Sequence, residues 1–271
     1  MDDLLELTGR AEATHFWFRG FRKFIAPVIA DVVKGRPGLR LVDCGCGTGH
    51  NLQLLRPHGR ALGFDLSEAG PARAHATGLT VLRGDVTRIP LASASFDVAT
   101  SFDVLQCVDA DVAAVREMAR IIKPGGVVIL TLAALDVLHG DHAEVWQEVR
   151  RYTPASARRL VEAAGLRPER VSFLFASLFP LMASVRLVQR VTKRFGRTVR
   201  ADTDITVPIG PLNLLLTMLV SAEAALVRHV PMPIGSSLLV VARKENRNPV
   251  SFGPRTKDQG RTKNQGRRTK D

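Results

Sequence analysis

Between residues 39 and 175 the apolar positions of this chain follow two rhythms in turn. Short, nearly continuous apolar runs at 40–44, 61–65, 80–83, 96–101, 127–132 and 170–175 predict strands buried on both faces. The segments between them, at 51–56, 68–76, 112–122 and 154–164, repeat their apolar residues every three or four positions and predict helices. Thr153 ahead of Pro154 is a helix start, and Gly165 is a stop. Such alternation argues for a parallel sheet with helices on both faces. A further run at 237–242 predicts a last strand. Upstream, a helix over 19–33 gathers Phe21, Phe24, Ile25, Val28, Ile29 and Val32 on one stripe, and Pro27 predicts a break or bend in it.

The first strand ends in Leu41-Val42-Asp43-Cys44-Gly45-Cys46-Gly47-Thr48-Gly49, with three glycines at alternate positions. Glycines at a strand-to-helix turn let backbone approach a ligand that a Cβ would repel. The spacing G-x-G-x-G resembles motif I of the class I S-adenosylmethionine (SAM)-dependent methyltransferases. Further landmarks follow in that family's order: Gly63-Phe64-Asp65, Arg83-Gly84-Asp85-Val86, the strand into Ser101-Phe102, and Lys123-Pro124-Gly125-Gly126. The resemblance covers roughly 39–175 and 236–243. It implies a Rossmann-like α/β fold whose seven strands run in the order 3-2-1-4-5-7-6, strand 7 antiparallel and helices on both faces. It also implies SAM as cofactor, with Asp43, Gly45, Gly47 and Gly49 around the methionine end, Asp65 and Leu66 at the ribose, Asp85 and Val86 at the adenine, and Ser101 and Phe102 facing the sulfur.

On this reading the chain divides into an N-terminal helical lid (1–38), a SAM-binding catalytic domain (39–175), a helical insertion (176–235), the last strand of the catalytic domain (236–243) and a disordered basic repeat tail (244–271). In the lid, five of the chain's fifteen aromatics fall within nine residues. There His15, Trp17, Phe18 and Arg19 are candidates for lining the substrate pocket, as in some bacterial relatives. The insertion stands where a minimal relative has a short hairpin. Its stretch 176–200 holds six basic residues and no acid, with Arg186, Arg190 and Lys193 at helical spacing and Leu181, Val188 and Val191 mainly on the other side. With Arg197 continuing the basic side and Phe195 the apolar one, that pattern predicts a basic amphipathic helix. A second helix over 212–229 is almost uncharged, but Glu223 and Arg228 argue against its crossing a membrane. Burial against the domain, peripheral contact with a membrane, or a roof over a lipid-like substrate are the readings left.

Charge adds less than it promises. The net charge is +12, and the last 29 residues supply +7 of it through ten Lys or Arg against three acids. No specific nucleic-acid partner is expected. Three cysteines outline neither a disulfide framework nor a zinc site. The acidic Met1-Asp2-Asp3 start lacks a signal peptide's basic and apolar regions, so a cytoplasmic protein, at most associated with the inner face of the membrane, is expected.

Methyl transfer from a sulfonium rests on positioning and exclusion of water, so no strong acid or base is obligatory. The candidates for a catalytic group are Asp103, His139, His142 and Tyr152. The quinone-precursor O-methyltransferases of the family hold a metal after the fourth strand; Gln106 and Cys107 replace two of those ligands here, so no metal is expected. The leading expectation is a methyltransferase acting on a small or lipid-linked acceptor. The alternatives are a nucleic-acid or protein methyltransferase recruited by basic surface, and a non-catalytic SAM-binding relative.

Overall fold

The computed structural model describes residues 8–194 and 207–246. The first three residues, the tail from 247 onward and the stretch 195–206 within the insertion, with the expectations attached to them, lie outside the described residues. One sheet of seven strands organises the rest: β1 (Leu39–Cys44), β2 (Gly59–Asp65), β3 (Val81–Arg83), β4 (Phe96–Phe102), β5 (Ile122–Ala133), β6 (Leu166–Leu174) and β7 (Ser237–Lys244). Their order is β3-β2-β1-β4-β5-β7-β6, and β7 runs antiparallel to both neighbours. Every residue of β4, the central strand, is buried, which is why its run is continuously apolar apart from small polar residues and Asp97.

Alternate strand residues feed two cores. Val42, Ala99, Val128 and Val240 pack with Ala114, Met118, Leu160 and Val161 of helices α3 (Asp111–Ile121) and α5 (Pro154–Ala163). Leu41, Val98, Val127, Ile129 and Val241 face the other way, onto Phe24, Ile25 and Ile29 of α1 (Phe16–Val33) and Val220 and Ala224 of α7 (Gly210–Val227). The short helices α2 (Ala69–Ala76) and α4 (Asp141–Val145) and the inserted α6 (Phe179–Arg194) complete the described elements.

Several expectations change. Helix α1 is not a detached lid: it is a full layer on the sheet, and its stripe forms part of the second core. It begins at Phe16, with His15 as its N-cap, so the aromatic cluster lies inside the first turn, and Pro27 sits within the helix without ending it. Residues 51–56 do not form an α-helix. Two 3-10 turns, Leu52–Leu54 and Arg56–His58, stand there, because Pro57 has no N–H to donate to a longer ladder. Lys123–Gly126 is not a free turn but part of β5, where the register with β4 shifts between the Phe96 and Val98 pairings.

Helix α6 is turned inside out relative to the expected amphipathic pattern. Arg186 is buried and donates to Gln189 Oε1 at 2.8 Å, and Arg190 donates to the Val137 carbonyl at 2.6 Å. Leu181, Leu187, Val188 and Val191 face outward. Glu223, which argued against a membrane-crossing α7, points inward and accepts from the backbone N–H groups of Ala176 (2.7 Å) and Ser177 (2.8 Å), in line with burial of the helix against the domain. It therefore caps the chain leading into α6.

Candidate active site

The sheet order reverses between β1 and β4, where a ligand crevice opens at the carboxyl ends of parallel strands. The glycine turn lies there. Gly45, Gly47 and Gly49 have φ of +81°, +50° and +79°, a region that side chains with a Cβ rarely occupy. Space forbids a side chain as well: a Cβ on Gly45 would sit 2.5 Å from Val104 Cγ2, and one on Gly49 2.7 Å from Leu79 Cδ1. The turn is tied to β2, since the Gly45 and Cys46 N–H groups donate to the Phe64 carbonyl. Asp65 completes the tie. One of its oxygens accepts from Gly47 N at 2.8 Å, and the other from Ser67 N and Oγ at 2.9 and 2.6 Å. Asp85 accepts from Thr87 N and Oγ at 2.7 and 2.8 Å. Each strand-end acid is thus fixed by the loop that follows it. Beside them Leu66 is 62% exposed and Val86 is buried.

Asp43 is different. Its side chain is buried and has one neutral partner, the Thr100 hydroxyl at 2.7 Å, and burial pushes its carboxyl up to about 7. On β4, Ser101 Oγ donates to the Cys44 carbonyl at 2.8 Å. Phe102 meets Phe21 of α1 edge-to-face, with ring centroids 5.5 Å apart. From the N-terminal side Glu12, also buried, accepts from Thr48 Oγ1 of the glycine turn at 2.6 Å, and the Arg22 guanidinium donates to its carbonyl. Sequence reading missed this latch, because Glu12 lies in a short polar stretch with no periodicity.

Residues 42–130 match the Methyltransferase domain family. Over 191 residues the chain is 32% identical to malonyl-[acyl-carrier protein] O-methyltransferase of Herminiimonas arsenicoxydans, covering 65% of this chain and 73% of that one. It is 28% identical over 205 residues to the enzyme of that name from Pectobacterium atrosepticum, covering 70% and 79%. The chain belongs to the class I SAM-dependent methyltransferases. The fold agrees with Haemonchus contortus phosphoethanolamine N-methyltransferase 2, solved with S-adenosyl-L-methionine, at a TM-score of 0.58 and 16% identity over 90% of this chain and 57% of that one.

SAM is the cofactor of this methyltransferase, and the residues at the crevice fit it. The left-handed glycine turn presents backbone and no side chain at the strand-end crevice, and the buried carboxyl of Asp43, held by the neutral Thr100 hydroxyl, suits an amino-acid ammonium.

The stretch just past the end of β4 is built otherwise. Asp103 stands at φ +55° with its N–H held by Thr131 Oγ1 at 3.0 Å. Its Oδ1 is enclosed without a partner, and burial raises the carboxyl to about 6. Glu148 and Arg151 face it electrostatically and pair with each other at 2.8 Å, both almost fully enclosed. Gln106 Oε1, Arg151 Nε and Ser236 Oγ are likewise buried without partners. Sequence reading missed the Glu148–Arg151 pair, since an acid and a base three residues apart look like ordinary surface.

The remaining candidates separate. Tyr152 does not line a pocket: it is buried, and its hydroxyl donates to Asp111 Oδ2 at 2.9 Å. Burial pushes that hydroxyl's pKa far up, so it clasps β5 to α3 and is no proton carrier. His139 is exposed in the turn after β5, on the side where Arg190 approaches its carbonyl at 3.3 Å. The side chain of His142 lies outside the described residues. His15 is buried as the α1 cap, its Nδ1 accepting from Trp17 N at 3.1 Å. Trp17 stacks on Phe175 at 3.8 Å. Phe18 is half-buried and Arg19 exposed, so the four do not converge on one point. Among the described residues no cluster of His, Cys, Asp or Glu could hold a metal ion.

Proposed function

We propose that this methyltransferase acts on an acceptor carried by an acyl or other lipid-like chain, with Asp103 as the polar contact for the acceptor's head. The observation that carries this reading is the enclosure of the end of β4. There the unpartnered Asp103 oxygen lies one residue beyond Phe102, which Phe21 covers. An apolar cover beside a small number of unsatisfied polar atoms suits a ligand with a greasy body and a polar tip. The relatives named for malonyl-[acyl-carrier protein] methylation are consistent with it.

When bound, SAM supplies a methyl on a cationic sulfur. The chain's own contribution is geometric. The glycine turn and Asp65 hold the donor side, and Phe21 over Phe102 excludes water from the line of attack. Asp103, its carboxyl raised to about 6 by burial, accepts the proton of a hydroxyl or amine nucleophile when ionised, or when protonated donates a hydrogen bond to a carboxylate.

Transfer of labelled methyl from SAM to dicarboxylic acids, free and as thioesters on acyl carrier protein, tests this. The carried acids should react at least about ten-fold faster than the free ones, and Asp103→Asn should lower turnover about ten-fold or more with SAM affinity unchanged. Equal rates on free short acids, or an unaltered Asp103→Asn enzyme, would remove the proposal.

A further inference from the structure

We propose that the outer faces of α6 and α7 dock this methyltransferase flat on an anionic lipid bilayer. On α7 the outward residues Leu212, Leu214, Leu215, Met218, Leu219 and Leu226 are each between 43% and 62% exposed, and Ile209 just ahead of them is 75% exposed. From Ile209 to Ala222 there is no charge at all. On α6, Leu181, Leu187, Val188 and Val191 continue the pattern at 48–62%. A monomeric soluble surface seldom leaves so much aliphatic side chain in water.

Charge selects the occupant. Helix α6 carries four basic residues and no acid, and α7 carries one acid. That acid, Glu223, is turned inward on the Ala176 and Ser177 amides. No carboxylate of either helix therefore faces outward, while Arg228, just past α7, is exposed, and Arg190 stays partly open to solvent even as it holds the Val137 carbonyl. Apolar side chains flanked by cations and free of acids match the interface of an anionic membrane. An acidic carrier protein would match the cations but not so broad an aliphatic face.

The helix lies on the surface and does not cross it. It is long and apolar enough to span a membrane by length and composition. Yet Thr217, Val220, Ala224 and Val227 are buried in the body, and a Cβ on Gly20 of α1 would meet Val220 Cγ1. Docking in this pose brings the active-site mouth to the lipid. Asn213 near the start of α7 bonds Phe16 N at 2.8 Å and the Thr14 carbonyl at 2.9 Å, and Glu12 of the same segment holds the glycine turn.

Flotation of the full chain with vesicles tests the proposal, and because it needs no turnover its result is separate from the identity of the acceptor. The protein should float with phosphatidylglycerol-containing vesicles and about ten-fold less with pure phosphatidylcholine. Leu215→Asp combined with Met218→Asp should abolish flotation while calorimetry shows SAM binding intact. The milder Met218→Gln should weaken it about three-fold and serves if the double variant does not fold. No flotation of the parent, flotation undiminished by the substitutions, or light scattering that shows a dimer which Met218→Gln disperses would each overturn it.

Discussion

The donor and acceptor sides of β4 are made from the same materials and finished differently. On the donor side the half-buried Asp65 and the exposed Asp85 are already engaged, Asp65 by Gly47 and Ser67, Asp85 by Thr87. On the acceptor side Asp103, Gln106, Arg151 and Ser236 each leave a buried polar atom without a partner. Hydrogen bonds made in advance hold a site's shape at no further cost when ligand arrives, whereas an unmade buried one is a standing penalty that a ligand can relieve. The donor side is thus preformed for one molecule common to the family. The acceptor side keeps its unsatisfied chemistry for whatever this enzyme methylates.

Asp43 is the donor-side residue that departs from this contrast, and it gives the largest effect. Its carboxyl stands at about 7 in the folded protein, against about 3.9 in an unfolded chain. Between those values the folded state holds a proton that the unfolded state has released, so stability falls as pH rises from about 4 to 7 and is fully reduced above. Thermal melts of cofactor-free protein should show this slope, to which Asp103 adds in the same window. Asp43→Asn should flatten it by about 4 kcal/mol across that range. SAM should bind the parent more weakly below pH 7 than above, and an affinity indifferent to pH would place the ligand's ammonium elsewhere.

A smaller effect comes from the turn itself. Gly45→Ala puts a Cβ against Val104 in a left-handed backbone. About 2 kcal/mol of stability should be lost, with a fall in SAM affinity that Val104→Ala partly restores. Because Val104 neighbours Asp103, the same pair measures how tightly the two sides are coupled. Smallest is Glu12→Gln. It keeps the shape of the latch on Thr48 but removes its charge, and it should weaken SAM binding about five-fold, or about 1 kcal/mol, in calorimetry. Loss of turnover without loss of SAM affinity would move Glu12 from the donor side to the acceptor side.

What could be read from the chain follows the same division. Strand runs and the acids at their ends were legible because burial on both faces imposes an unbroken apolar signature, and the strand order came with the resemblance to the family. Orientation was not legible. A helical period in α6 separates arginines from aliphatic residues, but it cannot say which set faces in. The outcome turned on Gln189 and the carbonyl at Val137, which gave Arg186 and Arg190 inward partners. The role of Glu223 could not be read locally because its partners, the amides of Ala176 and Ser177, lie 47 and 46 residues away. Tyr152 looked available because Asp111 is 41 residues distant. Long-range pairing of polar groups leaves no mark on local pattern.

Leu174, the last residue of β6, sits directly opposite Ser237, the first of β7. The chain therefore exits and re-enters the sheet at one spot, so the pairing of β6 with β7 does not depend on the length of what is strung between those two residues. Lengthening such an excursion adds only a logarithmic entropic penalty. The outward face of 176–235 can therefore change from one transferase to another, while its inward residues Val220 and Ala224 stay tied to the core against α1.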